Sequence, residues 1–377
     1  MANIDWTEND KPHWAIWQSE AGLPPPARVA IVDDTTTADD AYRWACEGTA
    51  MLWRGDYHNA RQLVQAMARR VDRQWAERKV KPGQTLLDTY HLFRLAQAQR
   101  ARTLGKVLLQ FEADHKLRLR RAPNVQQACW QVFGERTGPY VVSLRELLGL
   151  IGAQQWREKG VFVRALGRTI HPHYGLFAPI RDEYVDLVAQ APLPTTELAF
   201  DIGTGTGVLS AVLAQRGVQR IVATDTEPRA IACARENMDR MGLSDEVEVQ
   251  QVDLFPQGQA PLVVCNPPWL PGKPSAPMER AIYDQDSQML RGFLTGLPAH
   301  LTPGGEGWLV LSDLAEHIGL RSRQTLLGWI ADAGLQVLGR LEGRPSHPKV
   351  TDELDPLHAA RAAEVTSLWR LAVVVPA

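Results

Sequence analysis

The 377-residue sequence contains few cysteines and no long apolar run. Its four cysteines are scattered, form no C-x-x-C pair and lack metal-ligand spacing, which excludes a disulfide scaffold and indicates a reduced, cytoplasmic protein. No stretch approaches the roughly 18 uninterrupted apolar residues of a membrane span, and the first residues do not read as a signal peptide. Internal repeats are also missing. The length is sufficient for two domains with sizeable cores.

The net charge of −2 conceals an asymmetry between the two parts of the chain. Residues 1–176 hold 25 Lys and Arg against 18 Asp and Glu, whereas the remainder holds 16 against 25. Most of the basic excess lies in residues 54–121, which carry 16 basic and 6 acidic side chains. A basic region of this kind is typical of a surface that contacts phosphates or a ribonucleoprotein, although solvated helix faces would produce the same excess.

The same basic region has helical periodicity. Apolar residues recur at helical spacing in residues 57–79 and again near 86–104, while residues 106–111 and 116–120 predict a short hairpin. We therefore expect residues 1–160 to form a mainly helical, basic domain that docks a protein, RNA or ribonucleoprotein substrate.

A glycine-rich turn follows the apolar run 198–200. Residues 201–207 read Asp-Ile-Gly-Thr-Gly-Thr-Gly and precede a helical stretch at 208–216. Glycines let a backbone approach a ligand closely. A dinucleotide-binding turn needs G-x-G-x-x-G or A, but Val208 occupies the third site. The spacing thus argues against NAD and favours S-adenosylmethionine (SAM), which has no pyrophosphate to hold.

The next two predicted strands each end in an acidic residue. Asp225 lies about 20 residues after the glycine turn, where a carboxylate accepts hydrogen bonds from ribose hydroxyls; capping of the following helix is the alternative. Asp253 is placed to accept from an adenine amino group while Leu254 or Phe255 packs on the ring, although an ordinary loop carboxylate would look the same.

The tetrad Asn266-Pro267-Pro268-Trp269 ends the fourth predicted strand. The Asn266 side-chain oxygen and the Pro267 carbonyl can both accept hydrogen bonds from one NH2 group, and neither proline donates. The Trp269 ring can stack on the planar group that carries the NH2. Alone, the tetrad is also consistent with a stiff turn and a buried Trp. Four successive strand ends with suitable residues favour a ligand site at the carboxyl edge of an α/β sheet.

Residues from about 177 to 377 resemble a class I SAM-dependent methyltransferase of the Asn-Pro-Pro-Tyr type, and most of all the HemK-type enzymes that methylate a glutamine side-chain nitrogen. The motifs that carry the resemblance are residues 176–181, 201–207, Asp225, 234–237, 253–255 and 266–271. Trp269 departs from the usual Tyr or Phe. The resemblance implies a Rossmann-like, seven-stranded sheet with an antiparallel last strand, in a catalytic domain at residues 161–377.

The resemblance and the strand-end pattern together assign the site residues. The cofactor SAM is expected to be held by Phe177, Asp201, Gly203, Thr204, Gly205, Gly207, Asp225, Asp253, Leu254 and Asn266. The methyl acceptor is expected to be held by Asn266, Pro267, Pro268 and Trp269. Methyl transfer from a sulfonium requires no metal. We accordingly interpret His171, Pro172 and His173 as a loop bordering the cleft, and Asp284 and Asp286 as solvated loop residues.

The expected reaction is methylation of a planar nitrogen, best fitted by a glutamine side chain of a translation-related protein. The alternatives are an exocyclic amino group of a base in rRNA, tRNA or DNA, and a small-molecule acceptor for which the first domain is a lid. A SAM-binding module without catalysis is the remaining alternative, against which the intact tetrad argues.

Overall fold

The computed structural model describes residues 2–76, 83–274, 276–345 and 350–374. It divides into two compact units, Met1–Gln155 and Trp156–Ala377. The assignment of a recognition domain to residues 1–160 and a catalytic domain to residues 161–377 stays a prediction.

The described residues of the first unit form a six-stranded mixed sheet with helices. Its strands are β1 (Asn3–Glu8), β2 (Lys11–Trp17), β3 (Val29–Val32), β4 (Ala50–Trp53), β5 (Val107–Phe111) and β6 (Tyr140–Ser143). Its helices are α1 (Ala38–Cys46), α2 (Tyr57–Ala76), α3 (Leu86–Leu104), α4 (Gln126–Phe133) and α5 (Leu144–Lys159). The spatial order is β1-β2-β6-β5-β4-β3. The β1–β2 and β5–β6 pairs are antiparallel, and the β2–β6, β4–β5 and β3–β4 pairs are parallel.

This sheet corrects the prediction of a mainly helical first domain. The helices at 57–76 and 86–104 confirm their predictions, and residues 77–79 of the first lie outside the described residues. The strands β3, β4 and β6, however, are only four residues long. Periodicity cannot distinguish so short an apolar run from a buried helical segment, and the sequence pattern therefore does not indicate this sheet.

The predicted hairpin at residues 106–120 is also corrected. Its first strand is confirmed as β5, but residues 116–120 contribute only an isolated bridge between Phe111 and Leu117. The Arg120 side chain instead donates from Nε to Asp56 at 2.9 Å.

Asp56 is a fully buried carboxylate in the first unit. It accepts hydrogen bonds from Arg121 Nε at 2.7 Å, from Arg120 Nε and from the His58 backbone N–H at 2.9 Å. The Arg121 guanidinium, helped by these other donors, holds the pKa of Asp56 well below its usual range. A carboxylate with a lowered folded-state pKa stabilises the protein above the unfolded pKa of about 3.9, and this stabilisation is lost as the pH falls below it.

We expect Asp56→Asn to lower the thermal midpoint by several degrees at pH 7, because two arginines lose their buried partner. The deficit should shrink as the pH falls below about 4, because the unfolded-state carboxylate takes up a proton there while the folded-state carboxylate, whose pKa is lowered, stays ionised. Differential scanning calorimetry across pH, with the exposed Asp10→Asn as the matched control, measures both effects. Equal midpoints of Asp56→Asn and Asp10→Asn at pH 7 would contradict this account.

The second unit alternates strands and helices. Its strands are β7 (Val161–Val163), β8 (Arg168–Ile170), β9 (Leu198–Ile202), β10 (Arg220–Asp225), β11 (Val247–Gln251), β12 (Ala260–Cys265), β13 (Leu270–Pro271), β14 (Tyr283–Asp284), β15 (Leu301–Ser312), β16 (Leu335–Gly343) and β17 (Thr366–Val373). Its helices are α6 (Glu183–Gln190), α7 (Val208–Gln215), α8 (Pro228–Met241), α9 (Gln288–His300), α10 (Leu314–Ile318), α11 (Arg323–Asp332) and α12 (His358–Ala363).

The large sheet of this unit has the order β11-β10-β9-β12-β15-β17-β16. Numbered in chain order within the sheet, its strands lie 3-2-1-4-5-7-6, and β17 runs antiparallel to both of its neighbours. The predicted seven-stranded sheet with an antiparallel last strand is therefore confirmed. The strand order reverses between β9 and β12, and such a switch point opens a crevice at the carboxyl ends of the strands.

Both faces of this sheet are covered by apolar side chains. Successive strand residues point to opposite faces, so Leu262 and Val264 join one buried cluster while Val263 and Cys265 join the other. Near-continuous apolar strands of this kind are typical of a parallel sheet that lies between two layers of helices. The crevice at the carboxyl edge is consequently built on a rigid support.

Candidate functional site

The glycine turn lies at the switch point, between β9 and α7. Gly203, Gly205 and Gly207 all have positive φ values, of 72°, 56° and 82°. The Thr204 backbone N–H donates to the Thr224 carbonyl at 2.8 Å, which ties the turn to the neighbouring strand β10. Left-handed φ values at three alternate positions explain why glycine is needed there.

The environment of Gly205 fits a bound cofactor. A Cβ added at Gly203 would lie 2.4 Å from Met289 Cε, and one at Gly207 would lie 2.8 Å from Met238 Cε. A Cβ added at Gly205 would meet no atom within 4 Å. Gly203 and Gly207 thus serve the packing of the protein itself, while Gly205 borders open space in which a ligand can approach the backbone.

Asp201 is buried beneath the turn and organises it. Its Oδ2 accepts hydrogen bonds from Thr204 Oγ1 at 2.7 Å, from Ser210 Oγ at 2.6 Å and from the Ser210 N–H at 3.1 Å. Burial raises the pKa of Asp201, against the opposing effect of these hydrogen bonds. The carboxylate therefore holds the turn against the start of α7, and a direct contact with the cofactor stays a prediction.

Asp225 ends strand β10 next to the turn. Its Oδ2 accepts from the Gly205 N–H and its Oδ1 from the Glu227 N–H, both at 3.0 Å. Burial raises the pKa of this half-buried carboxylate. Each carboxylate oxygen retains a further lone pair, so Asp225 can fix the turn and accept from a ribose hydroxyl at the same time.

The end of β11 is less fully organised. Asp253 is exposed, and Leu254 is half-buried with a positive φ of 57°. Thr224 Oγ1 donates to the Leu254 carbonyl, which fixes this loop against β10. Phe255 stacks on the rings of Phe293 and His300, at centroid distances of 5.9 and 4.4 Å. Of the two side chains considered for packing on adenine, Phe255 is thus engaged by helix α9, and Leu254 stays the candidate.

Phe177 and the segment before α6 lie near this site. Phe177 is half-buried and packs against the apolar cluster that includes Leu209 and Val212 of α7. Its contact with the cofactor stays a prediction.

The Asn-Pro-Pro-Trp tetrad directly follows β12, the strand on the other side of the switch point. The indole Nε1–H of Trp269 donates to Asn266 Oδ1 at 2.8 Å. The resemblance could not reveal this contact, because the Tyr or Phe usual at this position has no indole N–H. It fixes the orientation of the Asn266 amide and leaves the second lone pair of Oδ1 for an acceptor NH2.

The Trp269 ring is itself held in place. The Arg181 guanidinium carbon lies 5.0 Å from the ring centroid, and the Tyr184 ring meets it edge-on at 6.5 Å. Arg181 is bound by Glu183 at 2.7 Å and by the buried Glu364 at 2.9 Å. One face of Trp269 is therefore covered by a cation, and stacking on the acceptor is expected at its other face.

Replacing Trp269 with Phe should lower the rate of methyl transfer about tenfold, because one hydrogen bond that orients Asn266 is lost while the ring is kept. Affinity for SAM should stay within a few-fold. Trp329→Phe, on helix α11, is the matched control that removes an indole elsewhere. Steady-state rates of the two variants measure the effect, and equal rates would show that the Trp269–Asn266 hydrogen bond has no catalytic role.

The His171-Pro172-His173 loop is tied to helix α8. The His171 backbone N–H donates to Asn237 Oδ1 at 2.9 Å, and Asn237 Nδ2 donates to the Thr206 carbonyl of the glycine turn at 3.0 Å. His173 Nε2 bonds Glu236 at 2.8 Å. Asn237 thus joins this loop to the glycine turn, a role that the resemblance at residues 234–237 did not specify.

Asp284 corrects another expectation. It was interpreted as a solvated loop residue, but it is buried and its carboxylate accepts from the Met289 and Leu290 N–H groups, both at 3.1 Å. It therefore caps the start of α9, the helix whose Met289 covers Gly203. Asp286, by contrast, is exposed as expected.

Two statements hold for the described residues 2–76, 83–274, 276–345 and 350–374. Across them, no helix is long and apolar enough to cross a bilayer. Within the same residues, no group of three or more His, Cys, Asp or Glu side chains is arranged to hold a metal ion.

Comparisons with known proteins agree with the predicted resemblance to methyltransferases. Residues 184–322 match the Methyltransferase small domain family. A release factor glutamine methyltransferase of Cereibacter sphaeroides is 29% identical over 182 residues, which cover 44% of this chain and 63% of that protein. A tRNA1(Val) (adenine(37)-N6)-methyltransferase of Shewanella loihica is 31% identical over 150 residues, which cover 37% of this chain and 61% of that protein.

A second release factor glutamine methyltransferase, of Mycolicibacterium smegmatis, is 34% identical over 176 residues, covering 44% of this chain and 54% of its own. The chain thus spans less than two thirds of the length of these relatives. The family match at residues 184–322 lies in the second unit. The similarities confirm the predicted resemblance to HemK-type class I methyltransferases, together with SAM as the cofactor.

Proposed function

We propose that the protein is a SAM-dependent N-methyltransferase that transfers a methyl group to a planar nitrogen. The observation that carries the proposal is the position of the Asn266 amide, held by Trp269 at the end of β12, directly across the switch point from the glycine turn. Similarity to a glutamine and an adenine-N6 methyltransferase supports the same chemistry, since a glutamine side chain and the adenine N6 group both offer a planar nitrogen.

The residues at the switch point form two groups, one that binds SAM and one that binds the methyl acceptor. Gly205 and Asp225 lie on the cofactor side, where open space borders Gly205 and the Asp225 carboxylate has lone pairs to spare. The N-terminus of α7 follows Gly207, and the positive end of the helix dipole there favours the cofactor carboxylate. When bound, SAM supplies a methyl group on a positively charged sulfonium.

Asn266 and Pro267 act on the acceptor. An amide or aromatic amine shares its nitrogen lone pair with a π system, which makes it a poor nucleophile. The Asn266 Oδ1 and the Pro267 carbonyl accept the two N–H groups of the acceptor and so direct the remaining face of the nitrogen at the methyl carbon. Fixed dipoles of this kind accelerate the reaction through positioning and electrostatic preorganisation.

The best-supported acceptor is a glutamine side chain of a translation-related protein. Two release factor glutamine methyltransferases are among the relatives, and the clamp accepts a primary amide without further groups. A base amino group in RNA is the second candidate, which the similarity to the tRNA adenine-N6 methyltransferase favours.

The first unit is proposed to dock the macromolecule that carries the acceptor. Arg70 and Arg100 are bound by Asp39 and Asp72, so these two charges are partly neutralised. Further arginines on the same helices α2 and α3 are exposed, namely Arg69, Arg73 and Arg102. Exposed guanidinium groups on neighbouring helices are suited to a phosphate-rich or acidic surface.

The proposal is tested by incubating the protein with tritium-labelled SAM and cell fractions, followed by protease or nuclease treatment. We expect acid-precipitable label that protease releases and nuclease does not. Release by nuclease would replace the glutamine proposal with the base acceptor, and a label found only in small molecules would exclude a macromolecular substrate. No transfer to any fraction would contradict the enzymatic function itself.

A further inference from the structure

Arg321 is a buried arginine, and two of its guanidinium nitrogens have no hydrogen-bond partner in the described part of the chain. The residue is 5% exposed, and its Nε and Nη2 atoms make no hydrogen bond among the residues that the structure describes. Its backbone N–H donates to the Ala315 carbonyl at 3.3 Å. Burial lowers the pKa of Arg321, but a guanidinium remains charged at neutral pH. A buried charge without hydrogen bonds is costly, and proteins rarely retain one without a function.

The position of Arg321 relates it to the acceptor clamp. It follows helix α10, which comes directly after β15, so it lies at the same carboxyl edge of the sheet as the tetrad. Helix α10 packs against β13, the short strand that begins directly after Trp269. Strand β13 pairs with β14, which places Pro271 beside Asp284. Helix α10, which precedes Arg321, and strand β14, which ends at Asp284, thus both contact β13.

The carboxylates near Arg321 are committed to other donors. Asp284 accepts from the Met289 and Leu290 N–H groups at the start of α9. Glu316 binds Arg323 Nε at 2.7 Å. Neither hydrogen-bonds Arg321 in the described structure, which leaves its Nε and Nη2 groups with hydrogen atoms to donate.

We propose that Arg321 binds a carboxylate of the methyl acceptor, close to the nitrogen held by Asn266. Nε–H and Nη2–H lie on the same side of a guanidinium and match the two oxygens of one carboxylate. A phosphate dianion fits less well, because the charges of Asp284 and Glu316 nearby disfavour a second negative charge. This inference rests on the proposed function and deepens it, since it selects acceptors with an acidic group near the target nitrogen.

The site is tested first without methyl transfer. Acetate labelled with ¹³C is titrated onto the full chain and its line width is followed by NMR, with inorganic phosphate as the competing probe. We expect saturable acetate binding in the wild type, weakened at least about tenfold in Arg321→Met and retained in Arg102→Met, a control that removes an exposed arginine of helix α3. No saturable binding in the wild type, equal binding in Arg321→Met, or stronger binding of phosphate than of acetate would overturn the proposal.

Stability separates a ligand-binding arginine from a structural one. An unpartnered buried guanidinium destabilises the folded state, so Arg321→Met should keep or raise the thermal midpoint without ligand. A clearly lower midpoint would assign Arg321 a structural role and overturn the proposal.

Methyl transfer then links the site to the acceptor. Acetate should inhibit transfer competitively with the labelled fraction and not with SAM, and Arg321→Met should lose this inhibition and show a raised KM for the acceptor fraction. Inhibition that competes with SAM would overturn the assignment to the acceptor. If no transfer is found, the proposed function and the assignment to an acceptor fail together, whereas the acetate titration still decides whether Arg321 binds a carboxylate.

Discussion

We expect the Asn266→Ala variant to lose about 10²- to 10³-fold in the rate of methyl transfer while its affinity for SAM stays within a few-fold. The variant removes the Oδ1 that Trp269 orients at 2.8 Å, and with it an acceptor fixed at the reacting nitrogen. Loss of one such preorganised group typically costs a factor of this size. Single-turnover rates with saturating SAM, together with calorimetric titration of SAM, measure the two quantities separately.

A matched control comes from a second asparagine. Asn237 is buried and supports the glycine turn from α8 through the Thr206 carbonyl. Asn237→Ala should therefore lower both the SAM affinity and the rate of methyl transfer, whereas Asn266→Ala should lower the rate alone. If Asn266→Ala loses SAM affinity as severely as it loses turnover, the separation of acceptor clamp and cofactor turn is incorrect.

We expect Gly205→Ala to weaken SAM binding about tenfold or more. The residue has a φ of 56°, and a Cβ there would project into open space on the cofactor side rather than into the protein. The alanine methyl group would occupy the space in which SAM approaches the backbone of residue 205. A loss of about 1.4 kcal/mol in binding free energy already corresponds to a tenfold weaker affinity. Calorimetric titration of SAM gives the change in affinity.

Gly242→Ala separates this effect from backbone strain. Gly242 ends helix α8 with a φ of 69°, and a Cβ added there also meets no atom within 4 Å. Both variants should lower the thermal midpoint by a similar amount, since alanine in a left-handed conformation costs about 1–2 kcal/mol. Only Gly205→Ala should lose SAM affinity. Equal affinities in the two variants would place the cofactor elsewhere.

The strand ends of the large sheet could be predicted because their signals are local, whereas its seven strands and antiparallel last strand were implied by the resemblance. Apolar runs mark β9, β10 and β12, and the residue at the end of each run is read directly from the sequence. Asp225 and Asn266 lie at the carboxyl edge, as these local signals predict. Glycine at positions 203, 205 and 207 likewise predicts a turn that a ligand can approach closely, and all three residues have positive φ values.

The support of the clamp could not be predicted, because its contacts join distant parts of the chain. Arg181 reaches Glu364 across 183 positions, and the pair holds the ring of Trp269. The buried state of Asp284 depends on the start of α9, which has no strong capping pattern in the sequence. The sheet of the first unit was missed for a different reason, since its four-residue strands carry too little periodicity.

The central claim is that the methyl group is transferred to a planar nitrogen. The most direct test is to digest the labelled macromolecule and locate the methyl group by tandem mass spectrometry. The account predicts that the label lies on the side-chain amide nitrogen of a glutamine in a protein. A methyl group on a carboxylate oxygen, on sulfur or on carbon would contradict a clamp built from the Asn266 oxygen and the Pro267 carbonyl.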